Sequence, residues 1–256
     1  MNETFLIPSD INQNKTIISP IEISKSLSIA IYKGEGATEE GIQNVKNNIL
    51  ATIGIEVAEI ISEQIQSDDL SKFDIIIFSG GSGSKQAQSI GEKGKGNIRD
   101  FIKNGGGYLG ICAGAYLATS GFDWSLHVVN AETISKTEWK RGKGFVDLEL
   151  TDEGKSILGN VSGLFKCRYS SGPLLKPMNM ESLPSFTTAA HFRSEISENG
   201  VTEGVMVNTP AVIYSTYGKG KVFLVSTHPE NTPGLENFIP NVLNWLITRD
   251  MLSVIK

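Results

Sequence analysis

Apolar residues come in short blocks along the first half of the chain, separated by polar and glycine-rich stretches. Leu27–Tyr32 (LSIAIY) has the length and composition of a buried strand. Gly34-Glu35-Gly36-Ala37-Thr38 breaks it, and Glu39–Leu50 follows as a helix with acids in its first turn. Ile53–Ala58 reads as a second strand. Phe73–Phe78 (FDIIIF) reads as a third, apolar enough to be covered on both faces. The segment Ser79–Ser84 is too rich in glycine for regular structure and is expected to be a loop. In Asn97–Lys103, Ile98, Phe101 and Ile102 fall at i, i+3 and i+4, which predicts a helix ended by Asn104-Gly105. Tyr108–Ile111 is a fourth short strand, followed by Cys112 and a small-residue segment, Ala113–Thr119.

Strands alternating with helices over residues 27–120 predict βαβ units and a parallel sheet with helices on both sides. The pattern then changes. Val128–Ala131, Phe145–Leu150, Leu164–Tyr169, Ser185–Ala190 and Ala211–Thr216 read as strands with few helices between them. Gly218-Lys219-Gly220 before Lys221–Val225 marks a hairpin turn. Leu235, Phe238, Ile239, Val242, Leu243 and Leu246 form the apolar stripe of a last helix. The expected fold class is therefore α/β, with a mostly parallel central sheet and added antiparallel strands in the second half. No repeat or linker interrupts this pattern, so residues 27–256 are read as one domain behind a polar N-terminal arm, residues 1–26.

Composition narrows the function classes. With 256 residues, 39% hydrophobic and 20% charged, the chain can bury a full core without disulfide or metal. A net charge of -5 argues against nucleic acid as a partner. No apolar run reaches the roughly 18 residues of a membrane span. The arm lacks the basic start and apolar stretch of a secretory signal, so the cytoplasm is expected, with a processed precursor as the alternative. Two cysteines, Cys112 and Cys167, exclude a disulfide scaffold and a four-thiolate zinc site, and no metal is expected. The 27 glycines exceed the roughly 18 that average usage gives.

Some of those glycines surround candidate chemistry. Gly110-Ile111-Cys112-Ala113-Gly114 has the G-x-C-x-G form of a nucleophile elbow, in which flanking glycines admit a tight strand-to-helix turn. The helix dipole at such a turn favours thiolate. A thiolate nucleophile needs an imidazole held by a carboxylate. Of three histidines, His228 in Ser226-Thr227-His228-Pro229-Glu230 follows an apolar strand, with Glu230 two residues on. His127 and His191 fall in strand-like segments and read as structural, as does Cys167. Amides of the Ser79–Ser84 loop, Gly81 above all, and of Ala113 could form an oxyanion hole. Glu35 could reach the same crevice as a thiol partner. Ser79–Ser84 lacks the G-x-x-x-x-G-K-[ST] pattern, and Gly34-Glu35-Gly36 is too short for a dinucleotide fingerprint, so no cofactor is expected.

Phe78–Ser84, Gly107–Tyr116 and Ser226–Glu230 together resemble the class I glutamine amidotransferase-like superfamily. Within it the chain looks most like the biotin–protein ligase N-terminal domain family, with support from Ile31–Ala37, Arg168–Pro173 and Tyr217–Lys221. The resemblance spans about residues 27–248. It implies a flavodoxin-like three-layer sandwich, a Cys112-His228-Glu230 triad, and substrate contacts near Glu35, Gly80, Ser82, Tyr116, Tyr169 and Ser171. Glutamine amidotransferases usually place a His-Gln pair after the elbow to hold glutamine; here Ala115-Tyr116 stands there. No ligase catalytic region or Gly-Arg-Gly-Arg segment follows before Lys256, so biotin ligation is not expected of this chain. The expected activity is a thiol hydrolase or amidotransferase acting on an amide-like carbonyl of a small molecule, with a partner synthase or ligase left unidentified. The alternatives are a non-catalytic binding or regulatory module and a redox or glyoxal-handling thiol protein.

Overall fold

A computed structural model describes residues 26–50, 52, 54–67, 69–159, 161 and 163–248. The polar arm, apart from Ser26, and Ile53 therefore lie outside the described residues. In the first half, β1 (Leu27–Tyr32), β2 (Ile55–Ile60), β3 (Ile75–Phe78) and β4 (Gly107–Ile111) alternate with α1 (Glu39–Ile49), α2 (Ser62–Ser67), α3 (Gly83–Lys103) and α4 (Ala113–Ala118). The second half contributes β5 (Ala131–Thr133), β6 (Lys143–Leu150), α5 (Asp152–Leu158), β7 (Leu164–Ser170), β8 (Leu175–Pro177) and β9 (Thr187–Phe192). It ends with β10 (Pro210–Tyr217), β11 (Gly220–Val225) and α6 (Phe238–Ile247).

The main sheet has nine strands in the order β2-β1-β3-β4-β11-β10-β9-β6-β7. The five strands from β2 to β11 are parallel, and every later pairing is antiparallel. Strand alternation divides the core between two faces. Ile29, Ile31, Ile75, Ile77, Leu109 and Ile111 share one cluster with α1 and α6 residues such as Val45, Ile49, Val242 and Leu243. Ala30, Tyr32, Ile76, Phe78 and Tyr108 share the other with Ile90, Ile98 and Ile102 of α3. This is the expected three-layer sandwich. The antiparallel half also curls back, because Arg168 on the far-edge strand β7 bridges to His228 just beyond β11.

Several elements differ from the sequence expectation. The glycine-rich segment is a loop only as far as Ser82; Gly83 and Ser84 already belong to α3, which bends at Gly91 (φ +62°). Phe73 closes a single 3-10 turn rather than starting β3. The segment Val128–Ala131 is not a main-sheet strand: only Ala131 lies in β5, which pairs with β8 in a separate two-stranded sheet. His127 is accordingly in a loop, with φ +55°, whereas His191 lies in β9 as expected. The short helices α2 and α5 carry no periodic apolar signal, being six and seven residues long. The hairpin turn is at Gly218 (φ +62°), and among the described residues no helix is long and apolar enough to cross a membrane.

Candidate active site

Parallel pairing brings the carboxyl ends of β3, β4 and β11 to one edge, where open α/β sheets present their sites. Phe78 pairs with Gly110 and Val225 with Ile111, so Cys112 emerges between the chain leaving β3 and the chain leaving β11. The Cys112 amide donates to Val225 O at 2.8 Å, which extends the ladder by one residue. Its backbone then turns sharply, at φ +50° and ψ -98°, into the N-terminus of α4. The flanking glycines are sterically required. A Cβ on Gly110 would lie 2.5 Å from Gly114 O, and one on Gly114 would lie 2.1 Å from Phe78 O. Below the turn, Tyr108 Oη donates to Gly114 O at 2.8 Å.

Cys112 is 6% exposed, and its thiol reaches Ser170 O at 3.5 Å. Its sulfur is close enough to act electrostatically on the His228 imidazole. His228 Nδ1 lies 2.7 Å from Glu230 Oε1. Backbone bonds fix the ring's position: His228 N donates to Arg168 O at 2.7 Å, and Thr232 Oγ1 donates to His228 O at 2.7 Å. Gly80 lies against the ring, since a Cβ there would meet His228 Cε1 at 2.9 Å. Glu230 is buried; Asn48 Nδ2 holds its carbonyl at 3.0 Å, and its Oε2 has no hydrogen-bond partner among the described residues. Burial pulls the imidazole pKa down, but the charges of Glu230 and Cys112 outweigh it and hold His228 well above the ordinary value. Cys167 lies buried nearby, its thiol pushed up to about 12 chiefly by burial. That matches the inert role expected of it.

The Gly80–Gly81 loop is tied to the turn after β1 by Thr38 N donating to Gly80 O at 3.2 Å and Ser82 N to Gly36 O at 2.7 Å. Gly81 has φ +141°, and a Cβ there would lie 2.0 Å from Gly36 O. Neither the Gly81 amide nor the Ala113 amide donates to another backbone group among the described residues. Both remain available for an incoming oxygen. Ser82 is half-buried and precedes α3.

Tyr116 is one turn beyond Cys112, its hydroxyl donating to Ser171 O at 3.3 Å. Tyr169 is fully buried and donates to Gly172 O at 2.8 Å, so it backs the loop after β7 rather than offering a substrate wall. Ser171 has φ +53° and bonds Gly142 through both its amide and its hydroxyl. Glu35 does not join the thiol. Its side chain is 66% exposed and faces Lys85 at 3.8 Å. Sequence reasoning missed Arg141, which is 2% exposed and sits beside this loop with Glu195 at 3.3 Å. No periodicity or motif marks it, because its burial depends on partners more than fifty residues away. Among the described residues no cluster of His, Cys, Asp and Glu could hold a metal ion.

Residues 27–146 match the family model described as biotin-protein ligase, N terminal. The biotin–protein ligase of Schizosaccharomyces pombe is 22% identical over 218 residues, covering 80% of this chain and 33% of the ligase. The chain thus spans about a third of that relative's length. Among solved structures, PurLQS from Thermotoga maritima superposes with a TM-score of 0.62 at 13% identity, covering 86% of this chain and 99% of that one. A cytoplasmic protein of Salmonella typhimurium gives 0.58 at 13% identity, covering 86% and 98%. A β-galactosidase from Rahnella sp. R3 gives 0.54 at 14% identity, over 88% of this chain and 32% of that chain. The fold is the class I glutamine amidotransferase-like one.

Proposed function

We propose that this chain, whose residues 27–146 match the biotin-protein ligase N-terminal family, is a cysteine-dependent hydrolase or amidotransferase acting on an amide-like carbonyl. One observation carries the reading. A cysteine in a strained elbow acts electrostatically on a histidine whose Nδ1 is 2.7 Å from a buried glutamate. A structural cysteine needs neither the positive φ nor the two partners.

In this mechanism His228, whose pKa is held above the ordinary value, takes up the thiol proton as Cys112 attacks and carries it as imidazolium. Cys112 Sγ attacks the carbonyl carbon, and the carbonyl electron pair moves to oxygen, where the Gly81 and Ala113 amides receive it. Each such donor is worth roughly 3–4 kcal/mol where it has been measured. As the C–N bond breaks, the imidazolium proton passes to the leaving amine and a thioester remains. A water or amine nucleophile then gives its proton to His228, and the C–S bond breaks with return of that proton to sulfur. Glu230 holds the ring throughout. Tyr116 and Ser171 flank the acyl group, with Gly80 and Ser82 on the other side.

The test is chemical. Cys112 is expected to react with iodoacetamide at pH 6 faster than a free cysteine does, and intact mass should reveal an adduct with amide or carbonyl probes that Cys112→Ser abolishes. Labelling no faster than a free thiol, together with a Cys112→Ala variant that changes nothing, overturns the reading. A second reading, a binding module, is favoured by Ala115-Tyr116 standing where glutamine amidotransferases carry their glutamine clamp. It expects ligand stabilisation that survives Cys112→Ala, without an adduct.

A further inference from the structure

Beyond Tyr116 lies a cavity of about 160 Å³, bounded by Tyr116, Ile134, Glu138, Arg141 and Leu174, with Gly172 in its wall. It adjoins the thiol through one short stretch of chain. Ser170 O accepts from Cys112, Ser171 bonds Gly142 beside Arg141, and Gly172 faces the cavity. Tyr116, on the helix that begins at Cys112, forms part of the cavity wall. The cavity and the nucleophile therefore share walls.

The chemistry of the lining is specific. Arg141 Nε donates to Ile196 O at 3.1 Å, and Nη2 donates to Thr202 O at 2.9 Å and Glu195 Oε2 at 3.3 Å. Both nearby carboxylates are already engaged. Glu195 also accepts from the Gly204 and Met206 amides, and Glu138 accepts from Thr202 N and Oγ1 at 3.1 Å each. What remains is the Nη1 amino group, which makes no hydrogen bond among the described residues and is not fully enclosed, on a side chain that lines the cavity. A buried guanidinium with donors to spare calls for an acceptor, and a carboxylate is the one that bonds it most strongly. Ile134, Leu174 and the Tyr116 ring supply an apolar passage, and at about 30 Å³ per water the cavity holds only a small molecule.

We propose that this cavity binds the carboxylate end of a short-chain substrate on Arg141, leaving an amide or ester carbonyl at its other end for Cys112. The assignment rests on the thiol-hydrolase reading for the reacting end, and on Arg141 alone for the substrate class. Binding to the full-length Cys112→Ala protein separates the two, because it needs no turnover. By titration calorimetry, succinamate, which has a carboxylate at one end and a primary amide at the other, should bind about tenfold more tightly than the neutral diamide succinamide. Arg141→Lys or Arg141→Met should erase that preference. If those variants fail to fold, the comparison of the two compounds decides alone. Equal binding, tighter binding of succinamide, or no binding of either compound overturns the proposal. Adduct formation on wild-type Cys112 beside any of those results leaves the hydrolase reading standing without it.

Discussion

His228 is pulled in two directions. Burial favours the neutral ring, while Glu230 and Cys112 favour the charged one and prevail. The folded value therefore lies above the roughly 6.5 of a free imidazole. Stabilisation from this group is fully present below about pH 6.5 and is lost as pH rises through the folded value. Urea unfolding should show wild type losing stability over that upper window relative to His228→Gln; parallel pH profiles would contradict it. Removing either partner should lower the ring's titration midpoint, followed by its Cε1 proton resonance in Glu230→Gln and Cys112→Ala. Cys112 supplies the second residue-level case. A non-glycine residue at φ +50° and ψ -98° costs on the order of 1–3 kcal/mol. Cys112→Gly should therefore unfold at higher urea than Cys112→Ala, by roughly 1 kcal/mol. Equal midpoints would mean that the elbow is unstrained. Cys112, His228 and Glu230 were legible in the sequence because a cysteine between two obligatory glycines, and a His-Pro-Glu after an apolar strand, leave local marks. Arg141 and the Ser170 carbonyl were not, since a curl of the sheet brings them in.

Among the elements, α3 best explains where sequence patterns succeed and fail. Only its last turns were read as helix, because Gly83, Gly91, Gly94 and Gly96 break the periodic signal upstream. Some of these glycines have work that the pattern cannot reveal. Gly94 packs against α2, where a Cβ would sit 3.3 Å from Ile65 Cγ2 and 3.5 Å from Gln66 Cγ. Gly91 provides the bend at φ +62°. Gly96 does neither: nothing lies within 4 Å of its missing Cβ. Gly96→Ala should therefore raise stability by about 0.5–1 kcal/mol, from helix propensity and a less flexible unfolded chain. Thermal unfolding without an upward shift would show that position 96 meets a neighbour. By contrast, β1, β3, β4 and β11 were read nearly to the residue. A strand buried on both faces is apolar at almost every position, and that signal is independent of distant partners. β5 and β8 were misread or missed, because three-residue strands in a side sheet carry no such run.

At the scale of the molecule, chain order and spatial order disagree. β11, from the end of the sequence, lies between β4 of the first half and β10 of the second. Its five register pairs with β4 close the parallel sheet, and α6 covers the same face as α1. Residues 27–146 alone would leave β4 without a partner on that side, and would lack His228 and Glu230. The one-domain reading thus becomes a claim about cooperativity. If the antiparallel half were a separable unit, its loss would precede that of the parallel half. Trp124 packs beside α3 and α4, Trp139 lines the cavity, and Trp245 meets Tyr214 and Phe223 edge to face. These three tryptophans report on both halves and on the join. Urea unfolding followed by tryptophan emission should coincide with far-UV circular dichroism in midpoint and slope. Rapid labelling of Cys112 should disappear in the same transition, because the sulfur and the His228 imidazole come from the two halves of the chain. Emission that changes ahead of the circular dichroism, or a thiol that keeps its reactivity after either has moved, would divide the molecule in two.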